Sequence, residues 1–205
     1  MMKKFLPLIY AGLVIGLLVL AALTQQPKPA PANVPNFGMT LPANYRDDFS
    51  LYLVIDRPDH TVRHVYAAPD VVAAVAAGEE IPYGTQIIIE TYDAQADLLG
   101  NPLRGSDGHY VAGAMQPNIH MIEKRDDWTV NQLPTPIGVI DWNFGSFDAQ
   151  SMLPSTENRN DCLTCHDNGA FRRDFVFSRP LLEDFVSEGE VQYLFCRLPG
   201  RGNCI

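Results

Sequence analysis

Lysine all but vanishes from this chain after its first 28 residues: Lys3, Lys4 and Lys28 stand at the start, and Lys124 is the only other one. Beyond residue 28, eleven arginines and Lys124 face all 24 acidic residues, a formal charge of −12. So acidic a surface argues against nucleic acid and anionic lipid as partners. It suits a basic redox partner, and it also serves solubility alone. Cysteine is scarce too, four in 205 residues with the first at position 162. None directly follows the N-terminal apolar run, which argues against a lipoprotein-type anchor. No methionine or histidine follows position 166, and no internal repeat is visible.

What the N-terminus has is an uninterrupted apolar run. Residues 1–4 read MMKK, and FLPLIYAGLVIGLLVLAAL fills Phe5 to Leu23. Positive charge ahead of an apolar stretch is the pattern of export. At 19 residues the run is long for a cleaved signal and just long enough to span a bilayer. Residues 1–23 are therefore expected to be a signal peptide or a retained membrane anchor. The remainder is expected in the periplasm or on the extracytoplasmic face. Residues 24–40 open TQQPKPAPANVPNFG, a Pro-rich extended linker. The folded domain is expected over 41–205, long enough for one core.

Within that domain the patterning reads as strands with a few short helices. FSLYLVID (49–56) is apolar and strand-like. TVRHVYA (61–67) alternates, with Val62, His64 and Tyr66 on one face and Arg63 and Val65 on the other. DVVAAVAAG (70–78) reads as a short helix with Asp70 as N-cap and Gly78 as its stop. TQIIIETY (85–92) is a strong strand, and 93–108 is polar and Gly-containing, a loop. NIHMIEK (118–124) and IGVIDWNF (137–144) are further strands, 148–160 is irregular, and PLLEDFVS (180–187) is a helix with Pro180 in its first turn. The expected class is α+β, mainly antiparallel sheet with a few short helices, preceded by the apolar N-terminal helix.

The chemistry concentrates in N-D-C-L-T-C-H-D-N-G, residues 160–169. A chain of this composition contains C-x-x-C-H by chance in roughly two cases per thousand. Each thiol of such a motif can add across one haem vinyl group. Cys162 and Cys165 would then hold one haem c by two thioethers, with His166 as the proximal iron ligand. Two other readings use the same cysteines. Four thiolates including Cys196 and Cys204 would bind zinc, and Cys162 with Cys165 would form a redox pair. In an oxidising compartment Cys196 and Cys204, which flank RLPGRGN, are expected to form a disulfide. With no methionine after His166, a sixth ligand from this chain must come from upstream. The candidates are Met39, Met115, Met121, Met152, His60, His64, His109 and His120.

From Leu41 to Phe185 the chain resembles the cytochrome P-460 family, which includes the cytochromes c′-beta. The resemblance rests on LPANYRDDF, VRHVYAAPD, EIPYGTQIIIE, HMIEKRDDW, the late CLTCH and RRDFVFSRP, in that order. It implies a mainly antiparallel β fold, often dimeric, with one c-type haem attached near the C-terminus. It further implies an open distal site that takes nitric oxide or hydroxylamine. Members that oxidise hydroxylamine carry a lysine bonded to the haem ring, just before a glutamate in the strand after a Gly-Thr turn. Here that strand reads Gly84-Thr85-Gln86-Ile87-Ile88-Ile89-Glu90, so the matching position is Ile89, which cannot form the bond. Lys124 lies in a different segment. The family's distal arginine matches Arg63, which would hydrogen-bond a nitrogen oxide or meet developing negative charge. The alternative function is a one-electron carrier with a sixth ligand supplied by the protein.

Overall fold

The structure, a computed structural model, describes residues 37–133, 141–170 and 173–196. The apolar N-terminal run, the Pro-rich stretch up to residue 36, Cys204 and the first half of the strand expected at 137–144 lie outside the described residues. Among the described residues no helix is long and apolar enough to cross a membrane.

The class is α+β, with seven strands and four short helices among the described residues. In chain order these are α1 (Tyr45–Asp48), β1 (Ser50–Asp56), β2 (Thr61–Ala67), α2 (Pro69–Ala76), β3 (Gln86–Ala94), β4 (Ala112–Met115), β5 (Asn118–Lys124), β6 (Trp142–Asp148), α3 (Arg159–Ala170), α4 (Arg179–Glu188) and β7 (Gln192–Phe195). The sheet runs β6-β5-β3-β2-β1-β7, with β4 paired to the far end of β3. Every pair is antiparallel except β1 with β7, which is parallel.

Both faces of the sheet are covered, which is why β1 and β3 read as nearly continuous apolar runs. On one face Leu53, Ile55, Val65, Ala67, Ile87 and Ile122 pack with Val71, Leu163 and Leu182 of α2, α3 and α4. On the other, Tyr66, Ile88, Met121 and Phe147 pack under Phe37, Met39, Leu41 and Tyr45. Phe37 and Met39 are buried, so the folded part begins at least four residues before the expected Leu41. Each such burial stabilises by about 1.5–3 kcal/mol, enough to make these residues part of the fold rather than linker.

Several expectations are corrected. Helix α2 starts at Pro69, so Asp70 sits in its first turn and is not the N-cap; Ala68 occupies that place without a side-chain bond. Of the strand expected at 137–144, the described part is strand from Trp142 and runs on to Asp148, and Asp148–Asn160 loses its last two residues to α3. Helix α3 and strands β4 and β7 were not expected. The last two are four-residue strands, AGAM and QYLF, too short to show a period.

Register builds the site. Arg63 pairs with Thr91 and Val65 with Ile89 across β2 and β3. Ile89 also pairs with His120, which pairs with Ser146, while Ile122 pairs with Phe144. Opposed residues of antiparallel strands share a face. Arg63, Ile89, His120, Ile122 and Phe144 therefore stand together on the face that carries α3.

Candidate haem site

Helix α3 supplies the opposite wall. Its residues RNDCLTCHDNGA are poor helix formers, and only Leu163 and Ala170 are buried. Packing onto β6 anchors it: Arg159 at its start donates to the Gln132 carbonyl (2.8 Å) and to Asn143 Oδ1 (2.9 Å). The helical repeat then places Cys162, Cys165 and His166 at i, i+3 and i+4, on one face. These three and the sheet residues Arg63, Ile89, His120, Ile122 and Phe144 line one cleft of about 160 Å³.

His166 is clamped. Its ring lies between Phe144 and Phe177, with centroids at 4.9 and 4.8 Å. Its Nδ1 is 2.5 Å from the Phe175 carbonyl oxygen. A carbonyl only accepts, so Nδ1 carries the proton and Nε2 keeps its lone pair, the form a metal needs. Burial lowers the imidazole's pKa from its ordinary value, against the pull of the Phe175 carbonyl, and keeps the ring neutral.

Cys162 and Cys165 are free thiols. Burial raises the pKa of both; at Cys165 the nearby Arg63 opposes it. Arg63 is half-buried, and its Nε is buried without a hydrogen-bond partner among the described residues. Burial, helped by Arg57, pushes its guanidinium down to about 10, so it remains charged at neutral pH. At the cleft's edge His120 Nε2 lies 2.8 Å from Glu157 Oε2, and Asn118 donates to the same carboxylate at 2.6 Å. The His120 bond, outweighing burial, holds the Glu157 carboxyl down to about 2. Glu157 was missed from sequence. It joins His120 only through the fold, 37 residues apart, and no local spacing signals it.

The other expected residues sort by face. His64 lies away from the cleft against Tyr92, and Met39 and Met152 pack in the opposite core. Met121 is in that core too, although it borders the cleft. Met115 accepts from Arg46, while His60 and His109 sit against Tyr110 and Tyr193. His120 is left as the upstream side chain that faces the cleft. Ile89 does line the cleft, as the resemblance implies for the lysine it replaces. Lys124 does not line it; its Nζ is bonded to Asp174 Oδ2 (2.7 Å) and to the Ile81 carbonyl (3.0 Å). The four-thiolate zinc reading falls because Cys196 is disulfide-bonded. Among the described residues no three His, Cys, Asp or Glu side chains are grouped to hold a metal. The expected partner of Cys196, Cys204, lies outside the described residues.

Gly169 explains how close α3 comes to the clamp. A Cβ there would collide with the edge of the Phe177 ring. Gly169→Ala, despite its better helix propensity, is expected to destabilise the protein by about 1–3 kcal/mol in denaturant unfolding, because the ring that holds His166 must move.

A C-x-x-C-H on one helix face, set against an apolar cleft in a mainly antiparallel sheet, is the layout of a haem cytochrome. The family model for Cytochrome P460 matches residues 42–178, two thirds of the chain and all the cleft residues, and the chain belongs to that family. A search of curated protein sequences finds no match. The family implies haem iron as cofactor, and the residues fit it. Two free thiols and an imidazole with Nε2 available share one cleft with apolar walls and a guanidinium whose buried Nε is unbonded among the described residues.

Proposed function

We propose that this is an exported mono-haem c-type cytochrome that binds or redox-converts a small nitrogen species such as nitric oxide. Cys162 and Cys165 would hold one haem c covalently, and His166 would ligate its iron. Haem iron supplies the centre that coordinates the small ligand and exchanges electrons with it. The observation that carries the reading is Arg63, a half-buried cation whose buried Nε is unbonded among the described residues, in the same cleft as His166. Such a donor would orient the ligand and stabilise negative charge developing on it. The isoleucine at position 89 and the engaged Lys124 favour ligand binding over lysine-linked hydroxylamine oxidation. A redox partner protein, a homodimer and a periplasmic location belong to the same proposal.

The test is the ferrous absorption spectrum before and after carbon monoxide. A large shift is expected, and Arg63→Leu should then release nitric oxide about tenfold faster or more, the loss of one charge-assisted hydrogen bond. A spectrum that ignores the gas overturns the reading. It would favour a one-electron carrier, for which His120, facing the cleft, is the sixth ligand to test. His120→Ala would then turn the iron high-spin.

A further inference from the structure

Asp174 and Phe175, on the connection between α3 and α4, are both left-handed, with φ of 51° and 60°. Neither is glycine, and each such residue costs about 1–3 kcal/mol. This turn delivers the Phe175 carbonyl to His166 Nδ1. The turn is held from the sheet. Asp174 Oδ2 accepts from Lys124 Nζ at 2.7 Å, and Asp174 Oδ1 accepts from Trp142 Nε1 at 3.2 Å. Lys124 and Trp142 are register partners at the ends of β5 and β6. Lys124 is only 8% exposed, and a buried ammonium persists only when paired. Its second hydrogen bond goes to the Ile81 carbonyl. The only lysine of the folded part is therefore spent on a carboxylate one residue from the carbonyl that holds His166.

We propose that the buried Lys124–Asp174 ion pair is the positioning device for His166. It fixes the turn, the turn fixes the Phe175 carbonyl, and the carbonyl fixes the imidazole's tautomer and the direction of Nε2. Lys124 and Asp174 are positioning residues that act through Phe175. In haem proteins a stronger acceptor at Nδ1 makes the histidine a better donor to iron. The pair thus sets the electron donation of the proximal ligand. The inference rests on the assignment of His166 as the iron ligand.

The experiment uses the full chain, exported and haem-loaded, as wild type, Asp174→Asn, Lys124→Met and Lys124→Arg. Haem per chain and unfolding midpoint are measured first. The ferrous iron–histidine stretching band by resonance Raman and the reduction potential follow. Asp174→Asn and Lys124→Met are expected to keep covalent haem while the band moves to lower frequency and the potential rises. Lys124→Arg should restore both. An unchanged band and potential in folded, loaded Asp174→Asn overturns the proposal, since an ion pair that only staples the fold would move neither. If those two variants do not fold, Trp142→Phe removes one bond to Asp174 and is expected to shift the band in the same direction; an unmoved band there counts against the proposal. If wild type shows no iron–histidine band, the iron is either six-coordinate or not held by His166, and the band no longer reads the ion pair. Nitrogen-15 NMR of His166 in haem-free chain then decides separately: loss of the pure Nδ1–H tautomer in Asp174→Asn supports the positioning role, and an unchanged tautomer overturns it.

Discussion

The chain with both Cys162 and Cys165 replaced by alanine is expected to leave the attachment machinery with no covalent haem at all. The two thiols are free, three residues apart, and turned into the same cleft as His166. Each would form one thioether, so the single variants should keep one bond and the double variant none. The mass of the denatured chain reads this directly. Wild type is expected to carry the added mass of one haem. The double variant is expected at the mass of the bare polypeptide, even if His166 still draws some haem into the cleft before denaturation. Haem retained through denaturation in the double variant would place the attachment elsewhere and overturn the assignment of all three motif residues.

Replacing Glu90 should have the largest effect on stability. Its carboxylate is fully buried on the sheet face away from the haem cleft. It accepts from Tyr45 Oη, from Arg46 Nε at 2.6 Å, from Tyr66 Oη at 3.0 Å and from Tyr92 Oη at 2.6 Å. Glu90→Leu leaves three tyrosine hydroxyls and a guanidinium without their acceptor. Arg46 is half-exposed and can turn to water, so the cost falls on the tyrosines: each buried hydroxyl left unsatisfied costs about 1–3 kcal/mol, and denaturant unfolding should show a loss of at least that order. The pH dependence has a definite sign. Burial pushes the Glu90 carboxyl up, but the bonds from Tyr45, Tyr92 and Arg46 outweigh it and hold it below its usual value. A depressed carboxyl stabilises above its unfolded pKa of about 4.3 and loses that contribution as pH falls through the folded value. Wild type should therefore lose stability in acid along a limb that Glu90→Gln lacks. A Glu90→Gln chain with the same acid limb would show that other carboxylates, Glu157 among them, carry it.

Legibility followed the reach of each signal. Strands β2 and β5 were readable to the residue because β-branched and apolar side chains fill seven-residue runs with turns on either side. The face assignment of Arg63 held as well, since alternation in a strand is rigid. Its role came from the resemblance, not from the alternation. Helix α3 was not readable as a helix: Asn, Asp, Thr and Gly dominate it, and its stability comes from packing on β6. The motif was legible as chemistry while its secondary structure was not. The Phe175 carbonyl had no signal at all, because a left-handed phenylalanine is disfavoured everywhere until tertiary bonds hold it. Lys124 stood out in the sequence as a lone lysine without a role. Its partner has no local signal, 50 residues away, and the register of β5 sends Lys124 past the cleft to Asp174.

The parallel pairing of β7 with β1 has a consequence in time. The first strand of the sheet waits for the last described one, so Leu53 to Asp56 remain an open edge until Gln192 to Phe195 have been delivered. Cys162, Cys165 and His166 emerge ahead of β7 by at least 26 residues. Contacts so distant in sequence form slowly. On the proposed export, a chain threading outward would display its haem motif before its domain could shut, and the order of the sheet would give loading the time to precede closure.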